Sequence, residues 1–314
     1  MEQRKNEVAK ARQSLSGSTP SCAGELMRKV YFGNLGQFGD IVMQEPALRQ
    51  FIKDNPTDKI TLGCSVKYSA AMRLYDDYHK NVTVRKLFLD YDQFPTEDDV
   101  KYFKNEKFDF VTIKHGSNEV QRNDKGKLAL HPDSSWASKI HQTVAAGRQQ
   151  GIEVVNTQVQ FNKKFDLGLK EKYICFSLFP NHPKGGVKSL SRGQVVGITK
   201  LINKLGYKAI HLNGPNEPDI EGSIKANCNW INSVALVTNS DLLITGDTGM
   251  SWAASGFKHP TVGLYAWGYN PVSGTSKNWQ PTNPNAVYLE SHSACEIQPK
   301  QIINTITETL RRNK

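Results

Sequence analysis

The chain has 314 residues, enough for two domains of about 150, and 38% of them are hydrophobic, as packed cores require. No apolar run approaches the ~18 residues that span a bilayer, and the opening MEQRKNEVAKARQSLSGSTPSCAGELM lacks the apolar stretch of a secretory signal, so residues 1–27 read as a loose or helical arm. A net charge of +10 points to anionic partners, while five scattered cysteines without a Cys-x-x-Cys pair argue against a disulfide framework or zinc site and for the cytoplasm.

In chain order, RKVYF (28–32) reads as a buried strand and Pro46 to Lys53 as a helix with Ala47, Leu48, Phe51 and Ile52 on one face. KITLGCSV (59–66) is a second strand, a helical pattern covers Tyr68 to Tyr78, and VRKLFL (84–89) and FDFVTIK (108–114) are further short strands. The polar stretch QFNKKFDLGLKEK (160–172) reads as a linker. The pattern then restarts with strands at 173–179, 208–213, 241–245 and 261–266. Helices fall at Gly193 to Leu205, WINSVALVTNS and Met250 to Ser255, and a closing one carries Ile302, Ile303, Ile306 and Leu310. Strands alternating with helices indicate parallel sheets covered on both faces. The expected organisation is an N-terminal α/β domain over 28–165 and a C-terminal α/β domain over 166–314, facing each other across a cleft.

Four strand-end loops carry candidate chemistry. In FGNLGQFGD, Gly33, Gly36 and Gly39 precede Asp40, a loop that permits positive φ or close approach of another molecule. It is not the dinucleotide fingerprint, because Gly-x-Gly-x-x-Gly is absent. Asp40 is either a helix N-cap or a functional carboxylate at the sheet's C-terminal mouth. In LLITGDTGMSW a strand runs through Gly246, Asp247, Thr248 and Gly249 into a helix start, where free N–H groups suit an anion such as a diphosphate without a metal; a capped turn is the alternative. FPNHPKGGVKSLSRGQ brings Lys184, Lys188 and Arg192 to a third loop, phosphate-binding or merely solvated. In HLNGPNEPD, Glu217 could accept ribose hydroxyls. Lys114 and His115 end the fourth strand as acceptor-side candidates or an exposed strand end. Asp90, Tyr91 and Asp92 imitate a metal-binding acid pair without further support, the eight histidines show no metal-ligand spacing, His259 reads as a turn residue, and Trp267 with Tyr269 as packing.

At these residues the sequence resembles glycosyltransferase family nine, the lipopolysaccharide heptosyltransferase-like enzymes of GT-B fold. GNLGQFGDIVMQEPALRQF resembles their opening strand-loop-helix, FDFVTIKHG their fourth strand, and LVTNSDLLITGDTGMSWAASGFKHPTVGLYAWGYNP with PTNPNAVYL their donor-binding region. The resemblance covers about Arg28 to Leu289 and is most specific at Gly39-Asp40 and Asp247-Thr248-Gly249. It implies an inverting glycosyltransferase needing no cofactor or metal, with a nucleotide-diphosphate sugar as co-substrate, the 28–165 domain on the acceptor side and the 166–314 domain binding the nucleotide-sugar. Asp40 would be the general base, Thr248 and Gly249 would hold the diphosphate beside Asp247, Lys188 would neutralise it, and Glu217 would bind the ribose. Two places depart from the pattern: Trp252 stands where the family carries His, and Ser189-Leu190 follow Lys188 where an aromatic is expected.

The expected acceptor is an anionic glycan or a phosphorylated glycolipid, with peripheral contact at the inner membrane face. The rivals are a transferase acting on modified DNA and a non-catalytic nucleic-acid or partner-binding module. Against the last, no basic block with interleaved aromatics occurs.

Overall fold

A computed structural model describes residues 27–88, 96–114, 120–122, 128–130, 139–179, 185–212, 217–268 and 274–313. The N-terminal arm up to residue 26, Asp90 to Asp92, His115, Lys184 and Tyr269 lie outside the described residues.

The first half begins with β1 (Lys29–Asn34), followed by a short helix α1 (Phe38–Met43) and α2 (Glu45–Asp54). Then come β2 (Lys59–Ser65), a 3₁₀ helix (Val66–Tyr75), β3 (Val82–Phe88), α3 (Glu97–Glu106) and β4 (Phe110–Lys114). A small antiparallel pair, β5 (Val120–Arg122) and β6 (Leu128–Leu130), precedes α4 (Gln142–Arg148). β1 to β4 form one parallel sheet in the order β3-β2-β1-β4. Val30 and Phe32 of β1 face the core beneath α1 and α2, and Tyr31 points the other way into an aromatic cluster with Phe103 and Phe108. Both faces of the strand are therefore covered, which is why RKVYF reads as one apolar run rather than an alternation.

The second half holds β7 (Tyr173–Ser177), α5 (Arg192–Lys204), β8 (Lys208–His211), the two-residue β9 (Ile224–Lys225) and α6 (Trp230–Thr238). β10 (Leu242–Thr245), α7 (Gly249–Gly256), β11 (Thr261–Ala266), β12 (Ala286–Ser291) and α8 (Pro299–Arg312) complete it. Its parallel sheet runs β12-β11-β10-β7-β8-β9. α8 docks through Ile302, Ile306 and Leu310, each contributing roughly 1.5–3 kcal/mol of apolar burial. Ile303, expected on the same stripe, lies off it and is 40% exposed.

Only the start of the polar stretch at 160–172 packs on the body of the molecule, and residues 166–172 are exposed. Phe161 is buried against Tyr75 and Phe257, and its amide donates to the Gly256 carbonyl at 2.9 Å. The buried Glu45 carboxylate accepts from Arg49 Nε at 2.9 Å, from the Gln160 amide at 2.9 Å and from the Tyr78 hydroxyl. Burial pushes the Glu45 carboxyl up, against the pull of Arg49 and Tyr78. The beginning of the crossing between the halves is thus strapped to α2. No helix of the described residues is long and apolar enough to cross a membrane.

Candidate active site

In each sheet the chain reverses its direction of travel once, between β1 and β4 in the first and between β7 and β10 in the second. Such switch points open a crevice at the carboxyl ends of the strands. Asn34 is level with Lys114 in the first sheet, and Thr245 with Ser177 in the second. The loops leave both in the same way: the Leu35 amide donates to the Lys114 carbonyl at 2.9 Å, and the Gly246 amide to the Ser177 carbonyl at 3.0 Å.

At the first crevice Asn34 organises the loop. Its side-chain amide donates to the Asp40 carbonyl at 2.8 Å, and its oxygen accepts from the Gly36 amide at 2.9 Å. Asp40 sits in the first turn of α1, where Oδ2 takes the Gln37 N–H at 3.0 Å and Oδ1 lies 3.4 Å from Lys114 Nζ. Asp40 is thus not the N-cap of α1, which is Gln37, but its third residue, with one oxygen reaching back to the N-cap amide and the other facing Lys114. Lys114, whose side chain is 1% exposed, is no exposed strand end; it counter-charges Asp40, whose side chain is 17% exposed.

The glycines follow from this packing. None of Gly33, Gly36 and Gly39 has positive φ, and what approaches them is the chain itself. A methyl on Gly36 would stand 2.5 Å from the Asp40 Cβ. One on Gly39 would stand 3.3 Å from the Gly249 Cα, in the other half of the molecule.

At the second crevice Asp247, Thr248 and Gly249 lead into α7. Thr248 occupies the N-cap position in extended conformation, yet its side chain does not cap the helix; its hydroxyl meets the Thr245 hydroxyl at 3.0 Å instead. The Ser251 amide turns back to the Thr248 carbonyl at 3.2 Å, and the N–H groups of Gly249 and Met250 stand at the positive end of the helix dipole. Lys188, from the loop after β7, pairs with Asp247 at 2.6 Å beside this helix start. Glu217 follows β8 and lies 3.1 Å from Nε2 of the buried His211. Asp40, Lys114, Lys188, Glu217, Asp247, Thr248 and the two glycines thus stand on strand-end loops or strand ends of the two sheets, and the starts of α1 and α7 meet at Gly39 and Gly249.

No known family's profile and no curated protein matches the sequence, but solved structures match its fold. A glycosyl transferase of family 9 from Veillonella parvula superposes with a TM-score of 0.65 at 15% identity, covering 92% of this chain and 99% of its own. The iron-containing dodecameric glycosyltransferase TibC of enterotoxigenic Escherichia coli gives 0.66 at 13% identity, over 95% of this chain and 81% of its own. The ADP-heptose lipopolysaccharide heptosyltransferase II of E. coli gives 0.62 at 13%, over 91% and 99%. The chain has the GT-B fold. TibC has been solved with ADP-D-β-D-heptose.

Several contacts of this GT-B chain were not read from its sequence. Phe38 of α1 stacks on Trp230 of α6 with centroids 4.8 Å apart and rings 3° from parallel, and meets Tyr68 edge-on at 5.1 Å. Trp252 is 3% exposed, edge-on to His141 at 6.1 Å and close over Gly39. It therefore seals the joint between the halves. His141 caps α4 through Nδ1, and its Nε2 lies 3.0 Å from the Gln280 carbonyl across that joint. Burial pushes the His141 imidazole below its ordinary value. The only sequence sign of these roles was an aromatic or imidazole in a polar or loop context, which does not name its partner.

Proposed function

We propose that this protein is a cytoplasmic, metal-independent, inverting glycosyltransferase. It would move a sugar from a nucleotide-diphosphate sugar to an anionic acceptor, a lipopolysaccharide-type glycolipid or another glycan. The observation that carries the reading is the joint at Gly39 and Gly249, which sets a carboxylate from one switch point beside an uncapped helix start at the other. The fold shared with nucleotide-sugar transferases supports it.

In this reading Asp40 takes the proton of the acceptor hydroxyl as that oxygen attacks the anomeric carbon from the face opposite the diphosphate. The bond from carbon to diphosphate oxygen breaks, and configuration inverts. Charge growing on the leaving diphosphate is met by Lys188, Thr248 and the first-turn amides of α7. Asp247 holds the Lys188 ammonium beside the helix start until the diphosphate arrives. Glu217 accepts ribose hydroxyls, and Lys114 offsets the charge of Asp40 before it gains its proton. The net charge of +10 suits an acceptor bearing phosphates and peripheral contact with the inner membrane face.

The test supplies ADP-, GDP- and UDP-linked sugars with a phosphorylated glycolipid and follows release of the nucleoside diphosphate. Wild-type protein should release one of them and Asp40→Asn should not. Silence with every donor, or equal release by the variant, contradicts the reading.

A further inference from the structure

His211 closes β8 with its side chain wholly buried. Its ring lies flat on Phe176 of the neighbouring β7, with centroids 4.8 Å apart and planes 6° from parallel, and Phe179 meets it edge-on at 5.9 Å. The ring is therefore clamped, and a clamped imidazole presents its nitrogens in fixed directions. Nε2 lies 3.1 Å from Glu217 Oε2, while Nδ1 is buried with no hydrogen-bond partner. A carboxylate only accepts, so Nε2 carries the hydrogen of that bond.

The chain after Glu217 returns to the same residue. The His211 carbonyl accepts from the Ala226 amide at 2.9 Å, and Ile220 is buried in the second core. Asn203 Nδ2 donates to the Gly222 carbonyl at 2.8 Å, and Lys225 pairs with Asp219 at 2.7 Å. Burial costs a polar ring its water, and here one nitrogen stays without compensation. Aiming the carboxylate is the one polar service the ring performs.

We propose that His211 is a positioning residue for the donor's ribose: clamped on Phe176, it holds one oxygen of Glu217 so that the other points at the ribose hydroxyls. This rests on the reading of Glu217 as the ribose ligand, and the experiment separates the two. Among ADP, GDP, UDP and CDP, the diphosphate that binds the wild-type protein is compared by calorimetry with its 2′,3′-dideoxy counterpart. Wild type should bind the ribose form roughly ten- to a hundredfold tighter, the range of hydrogen bonds to a charged group. His211→Phe keeps the stack and the volume but loses the donor, and should lose most of that discrimination without losing the diphosphate's contribution. His211→Gln restores an amide donor and should restore discrimination. Should the phenylalanine variant not fold, His211→Leu reads the same loss. Undiminished discrimination in a folded His211→Phe or His211→Leu overturns the proposal, because a merely structural histidine would change melting and leave the ratio alone. Undiminished discrimination in Glu217→Ala overturns the ribose reading itself.

Discussion

Two helix starts meet at the centre of this molecule, and they are finished in opposite ways. α1 is closed by its own carboxylate: Asp40 reaches back to the Gln37 amide, and Gly36 makes room for it. α7 is left open, since Thr248 turns its hydroxyl to Thr245 and Lys188 waits beside the first turn. A closed start holds a negative group in a fixed place, and an open one receives a negative group from outside. In the proposed function the same strand-loop-helix geometry would seat a base in one half and a diphosphate in the other.

The comparison can be broken most severely at the carboxylate. Asp40→Ala should lower transfer by ~10²–10⁴, the usual worth of a general base, with diphosphate affinity nearly unchanged. Turnover within a few-fold of wild type would remove Asp40 from the chemistry. Next comes the cation at the open start: Lys188→Met should weaken diphosphate binding about tenfold to a hundredfold and leave nucleoside binding alone, as calorimetry with both ligands would read.

The joint itself predicts a smaller effect. A methyl on Gly249 would stand 2.9 Å from the Gly39 amide nitrogen and 3.2 Å from the Phe38 Cβ. Gly249→Ala should therefore cost about 1–3 kcal/mol in urea unfolding, by pushing the halves apart. Gly193→Ala, with nothing within 4 Å of the added methyl, is the control.

The smallest effect lies at the far end of α7, where the His259 amide donates to the Ala254 carbonyl and the buried ring is pushed down to about 4. Between pH 6.5 and about 4 the unfolded ring binds a proton that the folded ring refuses, so stability is lost as pH falls. At pH 5.5 the loss is roughly 1 kcal/mol, and His259→Gln should flatten that part of the pH profile without changing nucleotide affinity. An unchanged slope would assign the acid sensitivity elsewhere.

Much of the fold was legible because parallel strands covered on both faces write themselves as apolar runs: 261–266 appears as read, and β7 and β10 differ only by a residue or two at their ends. α1 was hidden, since six residues give too little periodicity and Pro46 marks the start of the next helix. The 68–78 pattern is a 3₁₀ helix over Val66–Tyr75 that buries Ala71, Met72, Leu74 and Tyr75. The edge strand β12 has only half-buried residues over most of its length, and so lacks the buried run that would betray it. At the site, the sequence pointed to Asp40, Lys188 and Glu217 because they stand in glycine- and proline-rich loops at strand ends. It could not show that Lys114 turns inward to Asp40, that Phe38 lies on Trp230, or that Trp252 packs over Gly39. Those are contacts between residues tens to hundreds of positions apart, fixed only when the sheets come together.

The most direct test gives the open helix a carboxylate of its own. Thr248→Asp would put a carboxylate at the N-cap of α7, where an aspartate accepts from the first-turn N–H groups and stabilises a helix start. Calorimetry of the nucleoside diphosphates against wild type, Asp40→Ala and Thr248→Asp would decide. Binding should persist in Asp40→Ala and vanish in a fully folded Thr248→Asp. Equal binding by Thr248→Asp and wild type would contradict the assignment of the diphosphate to this helix start, and with it the account of the site.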